Sequence, residues 1–170
     1  MMHIVLVNPE IPQNTGNIAR TCAATGAKLH LIKPLGFELS DKYLKRAGLD
    51  YWHLMTLEIH ESWQAFVEAY PDARLHFATT KAPRDYCGAR YCDEDFLVFG
   101  RETKGLDEEL LAQNYEKCVR IPMRKDARSL NLSNSVAIML YEALRQQDFP
   151  DLEGSGCLTH AQTPEWKDYV

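Results

Sequence analysis

Short apolar runs of strand character alternate with helical runs along the whole chain, and this alternation restricts the fold more than any other feature. His3 to Val7 reads as a buried strand closed by Asn8-Pro9. Pro12-Gln13-Asn14-Thr15-Gly16 reads as a turn, and Asn17 to Thr25 as a helix stopped by Gly26. Lys28 to Ile32 is a second strand, Asp41 to Ala47 a short helix, Leu54 to Ile59 a strand, and Glu61 to Tyr70 a helix ended by Pro71. Leu75 to Thr79 and Phe96 to Phe99 are further strands, and Asp107 to Gln113 is a helix with acidic residues in its first turn. Cys118 to Ile121 is a last short strand, broken by Pro122, which cannot donate to a ladder. Such an order predicts an α/β fold: a mainly parallel sheet with helices on both faces.

The stretch from Arg120 to Leu144 carries the densest chemistry. A basic loop (Arg124, Lys125, Arg128) leads into Ser129, Asn131, Ser133, Asn134 and Ser135. Leu132, Val136, Met139, Leu140, Ala143 and Leu144 then recur at three- and four-residue steps, the apolar stripe of an amphipathic helix. One helix start needs one capping side chain. Five small polar residues exceed that need and point to a ligand. Ile138 and Tyr141 lie off the stripe and give the helix a second apolar face, suited to a second copy of the chain.

In open parallel sheets ligands gather beyond the carboxyl ends of the strands. The loops expected there hold Asn14 to Arg20, Thr79-Thr80-Lys81, Gly100 to Leu106 and Pro122 to Asn134. Arg20 falls one helical turn after Gly16, and Glu102 sits between Gly100 and Gly105, where backbone can approach a ligand closely. Asn14 reads equally well as a helix cap. Lys42, Lys45 and Arg46 share one helix face just before Tyr51 and Trp52, which suits phosphates beside stacked bases of single-stranded RNA, or simply a solvated basic face.

Several classes are disfavoured. The chain has no Walker loop, no G-x-G-x-x-G for a Rossmann dinucleotide or methyl-donor site, and no G-x-S-x-G elbow. No apolar run approaches the roughly 20 residues of a membrane span. The amino terminus lacks a signal-peptide pattern, and five scattered cysteines suit reduced thiols in a cytoplasmic setting. Cys87 and Cys92 lack a completing pair, the six histidines show no ligand spacing, and no metal is expected. The net charge of −5 argues against a nonspecific nucleic-acid binder but leaves room for a local basic face. At 170 residues one domain is expected over 1–150, with a tail at 151–170 that has no apolar period.

Three ordered motifs then resemble a known family: N-x-G-x-x-x-R at Asn14 to Arg20, L-V-F-G-R-E-T-K-G-L at Leu97 to Leu106, and I-P-M…S-L-N-L-S-N-S at Ile121 to Ser135. They are similar to those of the SpoU branch of the SPOUT RNA methyltransferases. Within it, the K-R-A-G-L-D-Y stretch looks like the enzymes that 2′-O-methylate the tRNA wobble cytidine or uridine. The resemblance implies a C-terminal trefoil knot, a homodimer, a tRNA substrate and S-adenosylmethionine as methyl donor. It places the donor against Ala78, Thr79, Gly100, Ile121, Met123, Ser129 and Leu130, and the reacting ribose among Asn14, Arg20, Glu102, Ser129 and Asn131. Another tRNA position, ribosomal RNA, or a non-catalytic RNA-binding module are the competing readings.

Overall fold

The computed structural model describes residues 1–38 and 55–159. The strands are β1 (His3–Val7), β2 (Lys28–Ile32), β3 (Leu57–His60), β4 (Leu75–Ala78), β5 (Phe96–Phe99) and β6 (Cys118–Val119). The helices are α1 (Pro12–Thr25), α2 (Trp63–Ala69), α3 (Glu108–Gln113) and α4 (Leu132–Arg145). The strands form one parallel sheet in the order β3-β2-β1-β5-β4-β6, as the alternation predicts. The chain winds outward from β1 to β3, then crosses to the other half, so the strand order reverses between β1 and β5. Leu6 pairs with Phe99 there, and the loops after both strands leave the sheet side by side.

Side chains alternate across the sheet. Ile4, Leu6, Leu29, Leu31, Leu97 and Phe99 meet Ile18, Ala19 and Cys22 of α1 and Val136, Met139, Leu140 and Ala143 of α4. Val5, Phe77, Phe96 and Val98 meet Phe66 of α2 and Leu111 of α3 on the opposite face. Each fully buried side chain of this size contributes roughly 1.5–3 kcal/mol. The sheet is therefore sandwiched between α1 with α4 on one side and α2 with α3 on the other.

Two boundaries differ from expectation. Helix α1 begins at Pro12, absorbing the segment read as a turn. Proline suits a first helical position, where its missing N–H costs nothing, and a distant carboxylate holds the preceding backbone, as described below. Strand β6 stops at Val119 because Arg120 turns away from β4: its N–H bonds to the Arg84 carbonyl at 3.0 Å, and its carbonyl accepts from Tyr86 N–H at 2.9 Å. The expected helix over Asp41–Ala47, with Lys42, Lys45, Arg46 and Tyr51, lies outside the described residues. From Gln146 to Thr159 there is no helix or strand beyond the Gln146 cap, although Leu152 packs against the core.

Histidines scattered in sequence form a buried row. His3 Nε2 lies 3.0 Å from Glu94 Oε2, His3 Nδ1 lies 2.9 Å from His30 Nε2, and His30 Nδ1 lies 3.1 Å from His60 Nε2. A carboxylate only accepts, so His3 carries its proton on Nε2. The same tautomer then satisfies His30 and His60, with all three rings neutral. Burial, then the neighbouring His3 and Lys28, push the His30 pKa down to about 3, and burial lowers His3 and His60 also. His30, Glu58 and His60 bring ligand-type atoms within 4.8 Å of one another. Their contacts are nevertheless met internally, since Glu58 Oε2 accepts from Tyr70 at 2.6 Å and pairs with Lys28 at 2.6 Å.

A pH dependence follows. Unfolded histidines take up protons near pH 6.5, whereas the native row resists them, so stability is whole above about 6.5 and falls as pH drops toward the native pKa. His30 alone costs about 1.4 kcal/mol per pH unit in that window. Between pH 7 and 5, Tm is expected to fall by roughly 5 °C or more, and His30→Asn should flatten the slope in a pH series of thermal melts.

Candidate active site

The loops after β1 and β5 are joined by Glu102. Its Oε2 accepts from Glu10 N–H at 2.8 Å, and its Oε1 from Ile11 N–H at 3.1 Å and from Asn14 Nδ2 at 3.0 Å. Ile11 is the residue before the first turn of α1 and has no capping side chain of its own. Glu102 thus supplies from another loop the negative charge that a helix start favours.

Its acceptor-only chemistry fixes everything downstream. Asn14 must turn its amide nitrogen toward Glu102, which leaves Oδ1 to accept from Asn131 Nδ2 at 2.9 Å. Asn131 then has Oδ1 free for the start of α4, where it accepts from Ser133 N–H at 2.9 Å and Asn134 N–H at 3.4 Å. A single directed chain of hydrogen bonds therefore runs from the start of α4 through Asn131 and Asn14 to Glu102. Asn14 is buried inside α1 rather than capping it, and the capping role belongs to Asn131. Ser133 Oγ and Ser135 Oγ bond back to Asn131 at 2.7 and 3.1 Å.

Beside this chain opens a cavity of about 540 Å³, a volume suited to a small organic ligand. Phe99, Leu106, Leu111, Val119 and Met139 give it apolar walls, and the polar groups come from the loops after β4, β5 and β6. Ala78, Thr79, Gly100, Ile121, Met123, Ser129 and Leu130, all expected at a donor site, line it, as do Asn14, Glu102 and Asn131. Arg20 does not; it is exposed further along α1, while Gly16 is buried. Lys81, Arg101, Lys104 and Arg128 also face the cavity. Lys81 pairs with Glu108, holding that carboxyl below its usual range, and Arg101 pairs with Asp107.

The β5 loop closes on itself. Arg101 N–H meets the Gly105 carbonyl at 3.2 Å and Gly105 N–H meets the Arg101 carbonyl at 2.8 Å. Gly105 has φ of +70°, and Gly100 sits so near the returning strand that a Cβ would lie 2.2 Å from the Gly105 carbonyl carbon. Two residues at this junction escaped the sequence reading: Glu10, whose carboxylate accepts from Thr103 N–H at 3.0 Å and from its Oγ1 at 2.9 and 2.8 Å, and Thr103 itself. The rule that found the others applies to Glu10 too, since it lies just beyond the carboxyl end of β1.

A parallel sheet with ligand-type loops at its strand-order reversal and a polar chain beside an apolar-walled cavity define the class. The chain belongs to the SpoU rRNA methylase family, whose family model matches residues 1–141. It is 53% identical over 150 residues to the tRNA (cytidine(34)-2′-O)-methyltransferase of Methylovorus glucosotrophus (strain SIP3-4), covering 88% of this chain and 97% of that protein. A solved structure concerned with 2-OH methylation of C/U34 on tRNA superposes with a TM-score of 0.84 at 49% identity, covering 87% of this chain and 97% of the other. An AdoMet-bound rRNA methyltransferase from Sinorhizobium meliloti superposes with a TM-score of 0.76 at 26% identity, over 85% of this chain and 56% of that one.

Proposed function

We propose that this protein transfers a methyl group from S-adenosylmethionine to the ribose 2′-oxygen of the tRNA wobble nucleotide, cytidine or a modified uridine. The observation that carries the reading is the cavity set against the Asn131–Asn14–Glu102 chain. Its apolar walls suit a nucleoside, and the loop backbones after β4, β5 and β6 offer the polar groups that would orient one. When bound, the donor supplies an activated sulfonium methyl for in-line displacement. The protein's part is then mostly positioning, which can supply roughly 7–11 kcal/mol of the barrier. Asn14, Glu102, Ser129 and Asn131 would order the ribose. Arg20 would clamp a phosphate or the sugar and steady charge developing on the oxygen. It keeps its own proton, so the 2′-hydroxyl proton would leave to a substrate phosphate or water. Arg20→Lys is expected to lower turnover at least tenfold through loss of bidentate geometry, read in steady-state kinetics.

The same reading includes a trefoil knot in the C-terminal third, a cytoplasmic homodimer, and a tRNA-binding face over Lys42, Lys45, Arg46 and Tyr51. It assigns residues 1–150 to the methyltransferase domain and 151–170 to a tail. A dimer is favoured by the outer face of α4, where Tyr141 is 47% exposed. The deciding experiment incubates the protein with labelled donor and total tRNA, then maps the methylated nucleoside. Label on the wobble ribose is expected. Label elsewhere in tRNA, or only in ribosomal RNA, would move the substrate, and donor-independent RNA binding without label would make it a binding module.

A further inference from the structure

Resting on the methyltransferase reading, we propose that Glu10 is a positioning residue of the reaction, one half of a reciprocal clasp that holds the Glu102 carboxylate in register with Asn14. Glu102 accepts from the Glu10 N–H, and Glu10 accepts from the Thr103 N–H, so each carboxylate grips the backbone of the other's loop. The Thr103 hydroxyl adds a third link at 2.8–2.9 Å. The loops are 92 residues apart in sequence, and the clasp pins them at two adjacent points. One point alone would leave the β5 loop free to pivot about Glu102. Two points remove that freedom, so Glu102 Oε1 stays 3.0 Å from Asn14 Nδ2.

Glu10 itself is not among the residues lining the cavity, whereas Glu102 and Thr103 are, so it acts through them. The loop after β2 backs it. Gly36 N–H bonds to the Pro9 carbonyl at 2.9 Å, and a Cβ at Gly36 would stand 2.7 Å from both Glu10 Cα and its carbonyl oxygen. Those are backbone atoms, so any side chain at position 36 must displace Glu10. Only glycine lets the two loops touch.

The test is kinetic, on the full chain with tRNA. Glu10→Ala is expected to lower kcat about tenfold while the donor KM stays within about threefold, because the Arg101–Gly105 closure of the donor wall is untouched. Glu10→Gln should recover most of the loss: its amide oxygen can accept from Thr103 N–H while its nitrogen donates to the hydroxyl. Gly36→Ala should reproduce the Glu10→Ala split from behind without removing any polar group. In Glu10→Ala/Glu102→Ala the loss should match Glu102→Ala alone. Full turnover in Glu10→Ala, a Gln variant as impaired as Ala, or a fully multiplicative double variant would overturn the clasp. Amide NMR supplies an independent arm: Thr103 N–H and the Asn14 side-chain amide should both shift in Glu10→Ala. An inactive wild type would reject the methyltransferase reading, whereas an unmoved Asn14 amide would reject the clasp.

Discussion

Gly100→Ala is expected to abolish measurable donor binding and to unfold the protein roughly 5–10 °C earlier than the wild type. The new Cβ would lie 2.2 Å from the Gly105 carbonyl carbon, 2.3 Å from Leu106 N and 2.5 Å from the Gly105 oxygen. All three are backbone atoms, and no rotamer change relieves them. Ordinary contact needs about 3.4 Å or more, so the turn must open by about an ångström. That movement breaks the Arg101–Gly105 bridge and carries Glu102, Thr103 and Lys104 away from the cavity they line. Overpacking of this kind typically costs 1–3 kcal/mol. Gly26→Ala is the control: Gly26, unlike Gly100, has a left-handed φ, of +71°, and nothing stands within 4 Å of a Cβ there. It should lose about 1–2 kcal/mol from backbone strain and bind S-adenosylhomocysteine normally. Calorimetric titration with that product, beside thermal melts, separates the two. Wild-type affinity in Gly100→Ala would mean the wall tolerates an open turn.

How far the sequence reached depends on the range of the interaction that decides each feature. Strand β5 and all of β1 after His3 are continuous apolar runs, β2 and β4 are mostly apolar runs broken by one histidine, and α4 shows its stripe at three- and four-residue steps, so local pattern places them within a residue or two. The start of α1 is not legible locally because Pro12 to Gly16 has turn composition, and the group stabilising that helix start is Glu102, about ninety positions away. The end of β6 is hidden for a similar reason: the partners that draw Arg120 off β4 are Arg84 and Tyr86, in a loop without a pattern of its own. At the site, the rule of strand carboxyl ends together with the motif resemblance named residues that do converge on the cavity, Arg20 excepted. The histidine row could not be read at all. His3, His30 and His60 sit on three separate strands, and their spacing along the chain reflects crossover lengths rather than ligand geometry.

Glu102→Ala should reduce single-turnover methyl transfer by roughly a hundredfold, the scale of an ångström-sized misplacement of reacting groups. The residue gathers three N–H donors from Glu10, Ile11 and Asn14. Removing it leaves them to water and frees Asn14 to flip. A flipped Asn14 would present its amide nitrogen to Asn131 Nδ2, donor against donor, and Asn131 could answer only by giving up its hold on Ser133 N–H. Disorder would thus propagate from one helix start to the other. Glu102→Gln has the same shape and sharpens the argument. Its oxygen can serve Ile11 and Asn14 while its nitrogen opposes Glu10 N–H, so one of the three bonds is lost rather than all. Turnover should therefore rank wild type, then Gln, then Ala, with Gln down by about three- to tenfold. Rates would be measured at saturating donor and tRNA, with Tm recorded for each variant. If Gln and Ala were equally slow at equal Tm, the carboxylate would be required for its charge, and the directed chain through Asn14 and Asn131 would not be what orders the ribose.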